Sequence, residues 1–319
     1  DIASNGRGRL SSALNSEEAD ALANALLQTS KRADTNIDIL KAHEFELTRA
    51  FRVLNLTECA IPSILISISP TRNPSENALY PVRDTCGCSA HATVELAILG
   101  ALKEAIERQF LLRFWLTNTC TGTISIGTAS AALRNRPSLQ LFNELARSGE
   151  VCILDITDHR FPGCCLLLCY GSDNENQRVR YCAGMSYADD LTHALEKSVL
   201  ELWQTFRFMD ALYTQGKDDK SVEDPYLRHF LSCNTYSTYT DIKNCQTEPG
   251  TDRTSIIPRP LSADALIKTL RELKFNGYLY VATTRTEKRQ LYFCKYISPH
   301  LFLHMNNAAH LNVFNTYAC

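Results

Sequence analysis

Glu104, Glu107 and Arg108 stand at positions i, i+3 and i+4 of a run that reads as one long helix, Val94 to Leu116. At about 100° per residue the three share one face. The positions around them are apolar: Ala97, Ile98, Ala101, Leu102, Ala105, Ile106, Phe110 and Leu111. Two carboxylates in such surroundings are costly unless a cation or strong donors meet them. One remedy is Arg108 alone, as a structural ion pair, and on spacing this is the plainer reading. The other is a divalent metal: Mg2+ takes one or two carboxylates plus phosphate oxygens, the usual arrangement at nucleotide phosphates. A second long run, 189–212, repeats the theme. Glu201 and Gln204 stand at i and i+3 among Leu195, Val199, Leu200, Leu202, Trp203 and Phe206. Two such helices facing each other could enclose a polar cavity. Two separate solvent-facing stripes fit the pattern as well.

The elements that must carry these residues can be read from periodicity. Residues 12–32 read as a helix, with Ser16, Glu17 and Glu18 giving an acidic start and Lys31–Arg32 a basic end. IPSILISIS at 61–69 alternates with period two and reads as a half-buried strand. Pro70 to Pro81 reads as a loop, and Asp84 to Thr93 as a tight polar turn into the first long helix. Strands are expected at 151–157, 163–170 and 178–184, the last two joined by the hairpin loop GSDNENQ. Asp189 or Asp190 would cap the second long helix. Residues 214–225 read as a polar surface loop and 262–276 as a helix, followed by a strand pair at 278–283 and 291–297. Strand pairs with long intervening helices indicate a mixed α/β or α+β protein.

The 319 residues are 45% hydrophobic and 21% charged, a globular balance. The formal net charge of -2 gives no global field for nucleic acid or for an acidic membrane surface. The greasy run 94–116 contains Glu95, Lys103, Glu104, Glu107, Arg108 and Arg113, which argues against a membrane span. No secretory signal opens the chain. Thirteen cysteines is an odd number, and Cys152, Cys164, Cys165, Cys169, Cys182 and Cys294 lie in apolar runs. They read as buried free thiols in a reducing cytoplasm.

Other chemistries find little support. GxxxxGK[ST] is absent, and so is GxGxxG after a strand. HEFEL at 43–47 lacks the second His of a zincin helix. Cys86, Cys88 and His91 form C-x-C-x-x-H without an evident fourth zinc ligand and read as ordinary loop residues. His43, His193, His229 and His304 are isolated in the sequence. No nucleophile–base pair stands out.

At the glutamate helix the sequence resembles the YcaO family. The family pattern is a turn of the form S-N-G-x-A-A-G-[NT]-T followed by a helix carrying E-x-x-E-R. DTCGCSAHATVELAILGALKEAIERQ supplies Gly87, Thr93, Glu104, Glu107 and Arg108 to it. The later family helix has an alanine- and leucine-rich run and then E-x-x-Q, matched by Ala194, Leu195, Glu201 and Gln204. Within the family the likeness is strongest to the cyclodehydratase subunits of microcin-B-type, thiazole- and oxazole-forming synthetases. It is carried by 80–92, 186–204, 226–234 and 298–307, and more weakly by RAFRVLNL and IPSILISIS.

The resemblance implies the mixed α/β YcaO fold over one domain, 1–319, incomplete at both ends. It implies ATP- and Mg2+-dependent cyclodehydration: a Cys, Ser or Thr side chain of a ribosomal precursor peptide attacks the preceding carbonyl. The resulting oxygen is phosphorylated, and phosphate leaves to give a thiazoline or oxazoline. Such chemistry rests on positioning and charge neutralisation and needs no protein nucleophile. By resemblance, Glu104 and Glu107 would hold Mg2+, Arg108 would orient them or touch phosphate, and Gly87, Thr93, Glu201 and Gln204 would help bind the nucleotide. The partners implied are the precursor peptide, a leader-binding subunit and a flavin-dependent dehydrogenase.

The family pattern is also broken in places. The family's earlier glutamate-bearing helix has no counterpart here, and Asp1 falls just after where it would end. His91 and Ala92 replace a Gly and an Asn or Thr, and Leu96 stands where an acidic residue is usual. Glu95 lies about 900° of helical rotation from Glu104 and so points the opposite way. The chain ends at Cys319 without the proline-rich tail of many family enzymes. A non-catalytic scaffold and a thioamide-forming enzyme are the alternative readings.

Overall fold

The structure, a computed structural model, describes residues 5–247, 260–285, 289–305 and 310–318. Asp1, Cys319 and positions 306–307 of the 298–307 segment lie outside them. The chain divides into two compact units, one of residues 1–112 and 262–319, the other of 113–261.

In chain order the first unit opens with β1 (Arg7–Arg9), α1 (Leu10–Ala13), α2 (Ser16–Thr29), α3 (Ile37–Ala42), β2 (Glu44–Arg52) and β3 (Glu58–Pro62). Then come α4 (Pro74–Leu79), β4 (Cys88–His91) and α5 (Val94–Thr117). The second unit contains β5 (Thr119–Cys120), β6 (Gly122–Thr123), α6 (Ile126–Ala132), α7 (Ser138–Ser148), β7 (Glu150–Asp155), β8 (Cys164–Gly171) and β9 (Tyr181–Ala188). It continues with α8 (Leu191–Thr214), α9 (Pro225–Ser232), α10 (Tyr236–Lys243) and β10 (Gln246–Thr247). The chain then returns to the first unit with α11 (Ala263–Glu272), β11 (Tyr278–Arg285) and β12 (Gln290–Ile297). This is the mixed α/β composition expected from the sequence.

The first unit is built on a six-stranded antiparallel sheet ordered β1-β2-β11-β12-β4, with β3 also paired to β2. Leu22 and Leu26 of α2 join Phe45, Leu47, Ile61, Tyr278 and Ile297 in its core. Asn15 caps α2 through a capping box with Glu18, and the helix stops at Thr29, so Lys31 and Arg32 lie beyond its last turn. Glu18 has a second task. Its side chain is 3% exposed and accepts from Arg52 at 2.7 and 3.1 Å, from Asn276 Nδ2 at 3.1 Å and from the Asn15 N–H at 3.1 Å. Burial pushes its carboxyl up, but these donors and the Arg52 charge outweigh burial and hold it below its ordinary value of 4.5.

A depressed folded-state value means that Glu18 stabilises the fold above the unfolded carboxyl pKa. That contribution is lost as pH falls through the lower, folded value. Glu18→Ala is therefore expected to cost about 2 kcal/mol near neutrality, since it takes the carboxylate away from the half-buried Arg52 guanidinium. Urea denaturation across the acid range should show the gap between variant and parent closing as the parent's Glu18 protonates.

Three local expectations for this unit are corrected. IPSILISIS is no strand: β3 ends at Pro62 and Ser63–Leu65 turn as a 3-10 helix. Ile61, Ile64, Leu65 and Ile66 are all buried, so the alternation did not mark a half-exposed face. The 70–81 loop contains α4, capped by Asn73 with Pro74 in its first turn. The polar turn after Asp84 runs into an edge strand, β4, paired with β12.

The second unit carries a four-stranded antiparallel sheet ordered β6-β7-β8-β9 and a short parallel pair, β10 with β5. The α8 helix packs on β8 and β9, burying Ala194, Leu195, Val199, Leu202 and Met209 among Leu166, Leu168 and Cys182. Asp190, not Asp189, caps it, accepting from His193 N at 2.8 Å. The hairpin loop expected at 171–177 extends to 180, because β9 begins at Tyr181 and runs on to Ala188.

Candidate functional site

Glu104 is placed by three features of the first unit. Ala97, Ala101 and Ala105 repeat at i+4 and are buried, with Leu102, Ile106 and Phe110 beside them, so α5 is docked along one stripe. This leaves Glu104, Glu107 and Arg108 on the half-buried flank. The turn before β4 comes to meet them. Gly87 has φ +72, a left-handed conformation, and a Cβ there would lie 2.3 Å from the Tyr296 carbonyl oxygen. Tyr296 N donates to the Gly87 carbonyl at 2.9 Å, which turns the Gly87 N–H toward α5, where it donates to Glu104 Oε2.

Arg108 Nε donates to Glu104 Oε1 at 3.3 Å. The ion-pair reading of the E-x-x-E-R spacing is thus realised at Glu104. It does not satisfy that residue fully: burial raises the Glu104 carboxyl above its ordinary value, against the opposing Arg108 charge and Gly87 N–H. Arg108 feels both carboxylates. Burial works against its charge, but Glu104 and Glu107 outweigh it and its pKa goes up. The result is a half-buried, acid-rich helix face whose best-placed carboxylate is held by a rigid backbone donor. Such a donor set suits a hard divalent cation such as Mg2+.

The other expected residues separate into distinct roles. Thr93 caps α5, its Oγ1 accepting from Leu96 N at 3.3 Å and its carbonyl from Ala97 N at 3.1 Å, and it is exposed. Glu95 is exposed as well. In the second unit, Gly184 lets α8 lie directly on β9: a Cβ there would be 2.2 Å from Leu202 N and 2.3 Å from the Ser198 carbonyl oxygen. Ser198 Oγ donates to the Leu166 carbonyl at 3.1 Å. This close contact brings Glu201 Oε2 to the Met185 N–H at 3.3 Å. Glu201 and Gln204 are both exposed on α8, as is Leu200, so their greasy surroundings are one-sided.

The zinc alternative gains nothing from the fold. Burial pushes the Cys86 thiol well up and raises Cys88 also. Among the described residues the one group of three whose ligand atoms fall within 4.8 Å of one another is Asp189, Asp190 and His193. His193, isolated in the sequence, lies 3.1 and 3.0 Å from these two aspartates and 3.2 Å from Arg136. Helix capping by Asp190 accounts for that grouping. His304 is fully buried, its Nε2 2.8 Å from the His310 carbonyl oxygen, a core role.

Sequence reasoning missed Asp84, Gln109 and Lys295. Asp84 bears the signature of a side chain bonding its own backbone two residues on, since Oδ1 accepts from Cys86 N at 3.0 Å. Gln109 is buried and grips Phe302, accepting from its N–H at 2.8 Å and donating to its carbonyl at 3.3 Å. Lys295 is a lone lysine in an apolar strand and is 2% exposed.

Residues 9–302 match the family model described as YcaO cyclodehydratase, ATP- and Mg2+-binding, and the chain belongs to that family. It is 34% identical over 279 residues to the microcin B17-processing protein McbD of Escherichia coli, a match spanning 87% of this chain and 70% of that protein. Among solved structures it is similar to a chain of the E. coli microcin synthetase McbBCD complex, with TM-score 0.86 and 31% identity over 100% of this chain and 80% of the other. The same complex with pro-MccB17 bound gives TM-score 0.85 and 31% identity, over 98% and 78%. The YcaO fold and the ATP- and Mg2+-dependent cyclodehydratase class expected from the motifs are borne out.

Proposed function

We propose that this chain is the cyclodehydratase subunit of a peptide-modifying synthetase. It converts Cys, Ser or Thr of a ribosomal precursor peptide to thiazoline or oxazoline and consumes ATP as each ring forms. Residues 1–319 act as one YcaO-type domain. The partners are the precursor peptide, a leader-binding subunit and a flavin-dependent dehydrogenase. Similarity to McbD and to the McbBCD complex that binds pro-MccB17 supports the assignment. No described helix is long and apolar enough to cross a membrane. The twelve described cysteines are free thiols, which supports a reducing cytoplasm.

The observation that carries the proposal is the pairing of Glu104 and Glu107 one turn apart on a half-buried helix face, with Glu104 fixed by the Gly87 N–H and by Arg108. In this reading the two glutamates hold Mg2+ and Arg108 keeps Glu104 oriented. When bound, Mg2+ neutralises phosphate charge as the amide oxygen is phosphorylated. Gly87 and Thr93 serve the nucleotide from the turn and the start of α5. By the family pattern Glu201 and Gln204 are nucleotide residues as well, and both are exposed on α8.

The test is reconstitution of the chain with its partner subunits and precursor peptide. Peptide mass is expected to fall by one water per ring, and by two further hydrogens wherever the dehydrogenase oxidises the ring, with ADP release matching the number of rings, only when ATP and Mg2+ are both present. Complex formation without dehydration would instead identify a scaffold. Exchange of a backbone oxygen for sulfur would identify a thioamide-forming enzyme.

A further inference from the structure

We infer that Asp84 is a positioning residue for the metal-binding face: it fixes the turn whose Gly87 N–H holds Glu104. The inference rests on the reading of Glu104 and Glu107 as Mg2+ ligands.

Asp84 joins three pieces of backbone. Its Oδ1 accepts from Cys86 N at 3.0 Å, bracing the turn from inside. Its Oδ2 accepts from Met305 N at 2.8 Å, tying the turn to the segment after β12. Its carbonyl accepts from Lys295 Nζ at 3.3 Å, and Lys295 lies on β12 directly opposite Cys88 of β4. The turn is closed by Cys88 N donating to the Thr85 carbonyl at 2.9 Å.

These bonds form a circuit that starts and ends on α5. Gln109 of α5 grips both backbone groups of Phe302. Three residues on, Met305 donates to Asp84. Asp84 holds Cys86, and the adjoining Gly87 donates back to Glu104 of α5. The position of the Gly87 N–H relative to Glu104 is thereby set through the Asp84 carboxylate.

The chemistry requires an aspartate. A carboxylate has two acceptor oxygens and no donor, and here two backbone N–H groups from different segments point at it. Asn keeps the shape but offers one acceptor oxygen and turns its NH2 against the other N–H. Asp84→Asn is thus a nearly isosteric cut in the circuit that leaves every other residue of the face in place.

The test measures peptide-dependent ADP release by the full chain with its partner subunits, titrated with Mg2+. In Asp84→Asn the half-saturating Mg2+ is expected to rise about 10- to 100-fold, with the maximal rate kept within a factor of about three. A merely structural role would lower the maximal rate at unchanged half-saturation, and that result would overturn the inference. Lys295→Met removes the donor to the Asp84 carbonyl together with a charge that reaches Cys86 and Cys88, and is expected to shift half-saturation in the same direction by less. It decides the matter should Asp84→Asn not fold, and wild-type Mg2+ dependence in a folded Lys295→Met would then count against the inference. Glu104→Gln run in parallel separates the two claims. If it shows wild-type Mg2+ dependence, the metal reading itself falls. If it is impaired while folded Asp84→Asn behaves as wild type, only the positioning role falls.

Discussion

Glu107→Gln is expected to reduce peptide-dependent ADP release by about 10²- to 10³-fold or more, because it removes an anionic oxygen that the bound metal needs. The substitution is close to isosteric and keeps a good helix former in α5. Glu107 is half-buried on the flank it shares with Glu104 and Arg108, and its charge acts on Arg108. The neighbouring stripe of Ala101, Ala105, Leu102 and Ile106 that docks the helix is untouched. Stability is therefore expected to change by no more than about 0.5–1 kcal/mol. Activity and stability separate in this variant, and that separation distinguishes a metal ligand from a structural ion-pair member. Wild-type turnover would remove the metal assignment.

Gly87→Ala is expected to act on both quantities at once. A left-handed conformation costs an alanine about 1–2 kcal/mol. The new Cβ would also meet the Tyr296 carbonyl oxygen at 2.3 Å, well inside contact distance, so backbone must move. The two together are expected to lower stability by about 3 kcal/mol or more. The same movement displaces the N–H that holds Glu104, so the Mg2+ requirement should rise in whatever fraction remains folded. Gly216 provides the control. It has φ +71, and a Cβ added there would meet nothing within 4 Å, so Gly216→Ala should carry only the conformational cost and leave Mg2+ dependence alone. Urea denaturation and Mg2+ titration of the two variants test the pair. Equal losses in both would show that the contact with Tyr296 has no influence.

The long elements were legible because their patterns are redundant. α5 and α8 each run for 24 residues, too long for a strand and without a proline to break them. Strands β7, β8, β11 and β12 follow from runs rich in Leu, Cys, Tyr and Val between turn residues. Short elements failed where two periods fit. Ile61 to Ile66 is buried on all sides, and burial on all sides erases the distinction between alternation and a tight turn. At α4 the Asn-Pro start was a helix signal, overridden by the surrounding polar residues that read as loop.

The site was legible in part for the same reason. Glu104, Glu107 and Arg108 share one helix, so spacing fixes their common face. The donor that orients Glu104 comes from Gly87, 17 residues away, and is delivered by pairing between β4 and β12 that no local pattern encodes. Asp84 depends on partners still more distant, since Met305 lies 221 residues along the chain. The exposure of Glu201 and Gln204 likewise follows from how Gly184 seats α8, a contact between β9 and the helix backbone.

The most direct test of the account is where the metal sits. Crystals of the protein grown with a non-hydrolysable ATP analogue and Mn2+ in place of Mg2+ would locate the ion by its anomalous scattering. The expected result is a metal within about 2.0–2.2 Å of carboxylate oxygens from both Glu104 and Glu107, with Gly87 N–H still on Glu104. An ion seated on other carboxylates, with Glu104 held by Arg108 and Gly87 alone, would contradict it.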